Sequence, residues 1–203
     1  MQKKYKTLIT PCIIFMLLVA HGVVYGQLKL SALVVETGNA VTALPFAGAP
    51  QLFYTNYHTY TTVGARLVWK EKNKHAWEQS LHAGYLYHRF VQHGIPVFTE
   101  IIYRQNLGKS FEARAHLGGG YLHSIPAVDR FELNSNGEYE KIKSIGRAQG
   151  MIKFSISGAY KVSSDINVLL NYGVLLQTPF VKSYVPLLPY NTFQVGVSKS
   201  LKK

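Results

Sequence analysis

Two-residue alternation of apolar and polar side chains, an aromatic excess dispersed rather than gathered into helices, and connections that run short and long by turns predict an all-β protein. The expected fold is an eight-stranded antiparallel up-and-down transmembrane β-barrel behind a cleaved signal peptide. Residues 1–26 are read as that signal and 27–203 as a single barrel domain.

Composition sets the class. Charged residues make up 16% of the 203 residues, below the roughly 25% usual in soluble domains. There are 14 tyrosines and 10 phenylalanines. No apolar run after the N-terminus reaches the roughly 18 residues that a membrane helix requires, so the apolar content has to be carried by strands.

The N-terminal segment has the three parts of an export signal. Lys3, Lys4 and Lys6 form the positive head, Leu8 to Ala20 the apolar centre, and Val24 and Gly26 suit a cleavage site before Gln27. Cys12, the single cysteine, lies inside this segment. Disulfides, thiol chemistry and cysteine metal sites are therefore excluded from the remainder, and no metal or other cofactor is expected. With the leader removed, 19 basic and 10 acidic residues leave a formal charge of +9. For an exported chain the natural counter-charge is an anionic lipid head group, not nucleic acid.

Seven strands follow from parity. Val63, Ala65, Leu67 and Trp69 alternate around Arg66. Trp77, Leu81, Ala83, Tyr85 and Tyr87 alternate with Glu78, Ser80, His82 and His88. Val97, Ile101 and Tyr103 oppose Glu100 and Arg104. Phe111, Ala113, Ala115, Leu117 and Tyr121 oppose Glu112, Arg114, His116, Gly118 and Gly120. Ile152, Phe154, Ile156 and Tyr160 oppose Lys153, Ser155, Ser157 and Lys161. Val168, Leu170, Tyr172, Val174 and Leu176 form the sixth apolar face, and Phe193, Val195 and Val197 the seventh. An eighth strand is placed at Leu28–Val35, although Leu33-Val34-Val35 interrupts the alternation.

The connections then suggest an environment. Glu71–Lys74, Asn106–Lys109 and Ser163–Asp165 are short polar turns; 36–59, 92–96, 124–147 and 178–190 are the more variable segments. Short turns on one side and long loops on the other are the pattern of outer-membrane barrels, and an even strand count puts both chain ends on the short-turn side. Trp77 and Tyr87, like Phe111 and Tyr121, stand ten residues apart. At about 3.3 Å per residue and a tilt of about 40°, that spacing spans about 25 Å, the height of an apolar band between aromatic girdles.

A soluble eight-stranded ligand-binding barrel would have the same parity with the faces exchanged, apolar inward. The polar face argues for the membrane arrangement. Arg66, Glu78, His82, Glu100, Arg104, Glu112, Arg114 and His116 carry both signs, as groups that pair within a narrow lumen must.

With its leader, alternating strands and turn asymmetry, the chain resembles the small outer-membrane β-barrel proteins of Gram-negative bacteria, of the outer membrane protein A and X type. That resemblance implies the barrel fold and an outer-membrane location. The chain departs from such proteins at its end, Leu201-Lys202-Lys203, where an aromatic residue is common; Phe193 is the last aromatic here. His123 and Ser124, at the end of a strand, bear a weaker likeness to the histidine and serine of outer-membrane lipid A deacylases. Those barrels space the two residues two apart, whereas here they are adjacent, with only Asp129 and Glu132 as nearby acids.

Three readings of function follow. The leading one is a non-enzymatic outer-membrane barrel whose loops engage lipopolysaccharide, other outer-membrane lipid or a second outer-membrane protein. Its candidate contact residues are Phe46, Leu52, Phe53, Tyr54, Phe180, Tyr184, Leu187 and Leu188, in two apolar proline-bearing loops. Arg89, Arg130, Lys141, Lys143, Arg147 and Lys182 would add positive charge on the same side. Phe131–Leu133 and Tyr139–Ile142 are read as a hairpin standing above the membrane, around Asn136-Gly137. The alternatives are a lipid-modifying, deacylase-like enzyme using His123 and Ser124, and the soluble ligand-binding barrel.

Overall fold

The structure, a computed structural model, describes residues 29–142, 144–180 and 186–201. Ten strands occur in chain order: β1 (Lys29–Thr42), β2 (Thr59–Lys72), β3 (His75–His88), β4 (Gln92–Asn106), β5 (Phe111–Pro126), β6 (Arg130–Leu133), β7 (Tyr139–Ile142), β8 (Arg147–Lys161), β9 (Ile166–Thr178) and β10 (Leu188–Ser200). One helical turn, α1 (Gln51–Tyr54), lies between β1 and β2. Eight of the strands close into an antiparallel barrel in the order β1-β10-β9-β8-β5-β4-β3-β2, and β6 and β7 pair separately as a hairpin.

The faces divide as a membrane barrel requires. Leu33, Val63, Leu81, Ile101, Leu117, Phe154, Ile156, Leu170 and Val195 stand on the outer wall, all exposed. Arg66, Glu78, His82, Glu100, Arg114 and Lys153 are buried within. A soluble barrel would leave its ions in water and its apolar residues inside, so the ligand-binding alternative is corrected by this geometry: the fold is an eight-stranded transmembrane β-barrel.

Several boundaries differ from those read in the sequence. β1 continues through Thr42, so 36–42 is strand and not loop. The break at Leu33-Val34-Val35 is explained by Val34 turning inward, where it packs with Ala159 and Leu169. β4 begins at Gln92, which leaves only 89–91 between β3 and β4. β10 begins at Leu188. These extensions share one cause. Near the rims the ladder hydrogen bonds continue, while nothing enforces the apolar and polar alternation that marks a lipid-facing segment.

The side bearing the chain ends has tight turns, with Asn73 in the left-handed region (φ 51°) and Gly108 at φ 157°. On the far side, the β6–β7 hairpin pairs Leu133 with Tyr139 around a turn in which the amide of Asn134 donates to the carbonyl of Glu138 (2.8 Å). Gly137 takes positive φ there (80°), the conformation for which glycine suits the turn, and Asn136 does not. The proposed leader, 1–26, lies outside the described residues.

Candidate functional site

The lumen is filled in strata. Nearest the chain ends, Glu78 accepts ion pairs from Arg66 (3.4 Å) and Arg104 (2.8 Å), and Glu112 pairs with Arg104 (3.2 Å) and Arg114. Arg104 also reaches Glu71 at the rim. Higher up, Glu100 is the hub of a second cluster. One of its oxygens lies 3.0 Å from Lys153 Nζ; the other lies 3.2 Å from His116 Nδ1 and 3.6 Å from His82 Nε2. His116 Nε2 and Ser157 Oγ are 2.8 Å apart. Asn171 on β9 donates to Glu36 on β1, across the intervening β10 (3.1 Å).

All eight lumen candidates read from the sequence thus lie on the inner wall, in two neighbouring clusters. The same reading omitted Lys153, Glu36 and Asn171. Lys153 is legible on the polar face of its strand, but Glu36 falls in a segment that the sequence reads as loop. Inward glycines give these long side chains room. A Cβ on Gly118 would stand 2.6 Å from the Glu100 Cγ, and one on Gly196 would stand 2.5 Å from the Glu36 Cγ.

Above the ions the chemistry changes abruptly. Ala40, Tyr60, Leu86, Phe98, Leu122, Met151, Leu175 and Tyr190 form one cluster, every member withdrawn from solvent. Each of the eight barrel strands contributes one of them, so an apolar septum crosses the lumen. Parity marks a residue as inward without revealing at what height it meets its neighbours, and the septum is therefore invisible in the sequence. Over the septum lies an amide layer. Gln92 and Gln177 exchange hydrogen bonds (2.5 and 2.9 Å), Gln92 donates to the Tyr190 hydroxyl (3.0 Å), and Gln177 donates to Gln149. At the mouth His58 stacks on His88 with ring centroids 3.8 Å apart. Burial pushes the His58 imidazole below its ordinary pKa, since desolvation penalises the charged ring.

His123 and Ser124 do not meet. His123 faces outward, bonded to the Tyr121 hydroxyl (2.8 Å) and the Ile145 carbonyl (2.9 Å). Ser124 is buried in the lumen and donates to Gln92. Adjacent residues on a strand point to opposite faces, so the nucleophile–base pair of the deacylase alternative is corrected. Asp129 is held by Lys141 at 2.7 Å.

The candidate contact residues also separate. Phe46, Phe53 and Tyr54 are exposed and Leu187 half so, whereas Leu52 is buried and Leu188 packs against the septum; those two are corrected from contact residues to packing residues. Phe180 lies beneath the Arg147 guanidinium, 5.4 Å from its ring centre. Tyr184, Lys143 and Lys182 fall outside the described residues.

No family model matches the chain, and no curated protein matches it. Among solved structures, it is similar to the outer membrane enzyme PagL (9% identity, 84% of this chain and 99% of that one, TM-score 0.47). It is similar also to Neisserial surface protein A (8%, 86% and 97%, TM-score 0.45) and to the Yersinia pestis attachment invasion locus protein Ail, solved with the heparin analogue sucrose octasulfate (8%, 85% and 100%, TM-score 0.43). At identities this low the likeness is one of overall shape, and the barrel assignment stands on the strand order and register of this chain.

Proposed function

We propose that this protein is exported with loss of residues 1–26 and resides in a bacterial outer membrane as a closed, non-enzymatic barrel whose far-side loops engage lipid or a partner. The observation that carries the reading is the stratified lumen. An apolar septum with one side chain from each wall strand, above a layer of paired ions, leaves solutes no polar path. The apolar outer wall supports residence in lipid. With the interior filled, recognition falls to the far rim. There Arg89 lies over Phe90, Arg147 over Phe180, and Lys141 beside Asp129, and the β6–β7 hairpin projects. Basic side chains on that rim suit the anionic phosphates of lipopolysaccharide.

Purified protein reconstituted in planar bilayers should show no steady conductance and should retain lipopolysaccharide through extraction. Deletion of 181–186, which stops short of β10, should weaken that retention. Open-channel steps from the unmodified protein, or acyl-chain release from lipid A that is lost in His123→Ala, would overturn the reading.

A further inference from the structure

The first far-side loop, 43–58, does not stand above the barrel but is fastened down its outer wall, and two asparagines hold it there. Asn39 of β1 and Asn191 of β10 occupy outward positions that parity assigns to lipid. The Asn39 Nδ2 donates to the Leu52 carbonyl (2.8 Å), and its Oδ1 accepts from the His58 amide (2.8 Å). The Asn191 Oδ1 accepts from the Phe46 amide (3.1 Å) and the Tyr172 hydroxyl (2.9 Å); its Nδ2 donates to the carbonyls of Ala43 (3.2 Å) and Leu44 (3.0 Å). Burial along β1 records the cover. Leu33 and Val35 are 49% and 51% exposed on the outer face, while Asn39 and Val41 higher on that face are 7% and 3% exposed.

The loop descends some way. Phe53 packs on Phe193 (5.6 Å between ring centres) and Phe46 on Tyr172 (6.5 Å). Phe193 lies five residues from the start of β10, and Asn39 three from the end of β1. At about 3.3 Å per residue and a tilt of about 40°, the loop reaches roughly 8–13 Å below those strand ends. A strand of 14 residues stands about 35 Å tall at that tilt, against an apolar band of about 25 Å. The descent therefore brings the loop to the level at which head groups give way to acyl chains.

The wall beneath explains why a loop is needed. Tyr85, Tyr87 and Tyr121 supply aromatics toward the far rim on β3 and β5. The β10–β1–β2 sector offers one aromatic there, Phe193, and otherwise carries Asn191, Asn39, Thr37 and Thr61, the last two bonded to each other at 2.7 Å. Over this polar sector the loop leaves Leu44, Phe46, Phe53 and Tyr54 about 70% exposed, even where Phe46 and Phe53 touch the wall. Resting on the membrane reading of the barrel, we infer that loop 43–58 is a lipid-binding wedge that completes the interfacial aromatic girdle where the strands leave it open, its exposed apolar side chains seated among the acyl chains of the outer leaflet. Acyl chains are the fitting occupant because the surface is continuous with the lipid-facing wall and carries no charged residue from Val41 to Tyr57.

The test places a tryptophan reporter on the loop. Phe53→Trp in a Trp69→Phe/Trp77→Phe background is reconstituted in phosphatidylcholine vesicles with bromine near the upper or the lower end of the acyl chains. The expected result is blue-shifted emission, stronger quenching by the upper bromines than by the lower, and protection from iodide in the water. Adding Asn39→Ala and Asn191→Ala should release the loop, red-shifting the emission and admitting iodide. Quenching by iodide but not by bromine in the unreleased protein would overturn the inference. Shielding from both that depends on protein density would equally overturn it, since a second copy would then be the occupant. Trp69 and Trp77 of the unmodified protein provide the control: if bromolipid quenches them while the reporter stays in water, the barrel reading survives alone; if it does not, both fall.

Discussion

Lys153 Nζ lies 3.0 Å from a Glu100 carboxylate oxygen, with both side chains almost wholly withdrawn from solvent on inner-wall strands separated only by β5. The pair sits directly beneath the septum, and Lys153 also lies 5.1 Å from the centre of the Phe98 ring. The two strata are thus joined at one residue.

Breaking this pair should cost more than removing it. Glu100→Gln leaves a buried ammonium without its counter-charge and should destabilise the barrel by about 3–5 kcal/mol. Glu100→Leu combined with Lys153→Met should cost clearly less. Urea midpoints for reversible folding into phospholipid vesicles, followed by the heat-dependent gel shift, compare the two. Equal losses would mean that the charges do not interact as a unit.

Truncating the septum should open the lumen. Phe98→Ala should cost about 3–5 kcal/mol through the cavity that it leaves. Joined to Leu122→Ala, it should turn a silent bilayer trace into flickering current. A double variant that folds and stays silent would show that the other strata suffice to seal the barrel.

Lipid exposure of the outer wall is tested by Leu117→Arg at mid-height on β5. A charge near the bilayer midplane should destabilise by about 2–4 kcal/mol. Leu107→Arg, in the turn between β4 and β5, should cost close to nothing. The contrast between their unfolding midpoints is the readout.

Acid should loosen the mouth. Burial, with His88 stacked on the ring, disfavours the charged form of His58, so its folded pKa lies below the unfolded value of 6.5. Its contribution is therefore complete above that value and declines as the pH falls through 6.5 toward the lower folded pKa, because the unfolded chain then binds the extra proton. A lower unfolding midpoint at pH 5 than at pH 7.5, with the difference reduced in His58→Phe, is the expected result.

Gly118→Val should prevent normal closure. Its side chain would enter the space of the Glu100 Cγ, only 2.6 Å from the Cβ position, and the carbonyl of Thr99 stands equally close. A reduced yield of the heat-shifted folded form is expected, while Gly158→Ala, in β8 with open space around it, should leave that yield unchanged.

The alternation of Phe111–Tyr121 and its counterparts determined the strands, the barrel and which face carries the ions, because a pleated strand sorts its side chains by parity alone. The same local rule placed His123 and Ser124 on opposite faces. Height around the barrel is not local. It depends on register between residues up to 168 positions apart, Ala32 beside Ser200 being the extreme, and only closure of the sheet could gather one apolar side chain from each strand into a septum. The placement of loop 43–58 was likewise a tertiary matter. Asn39 falls in a segment that the sequence reads as loop and Asn191 just outside the last apolar face; only the folded chain brings the loop's own amides and carbonyls to them, and a buried polar group is stable only where such partners arrive.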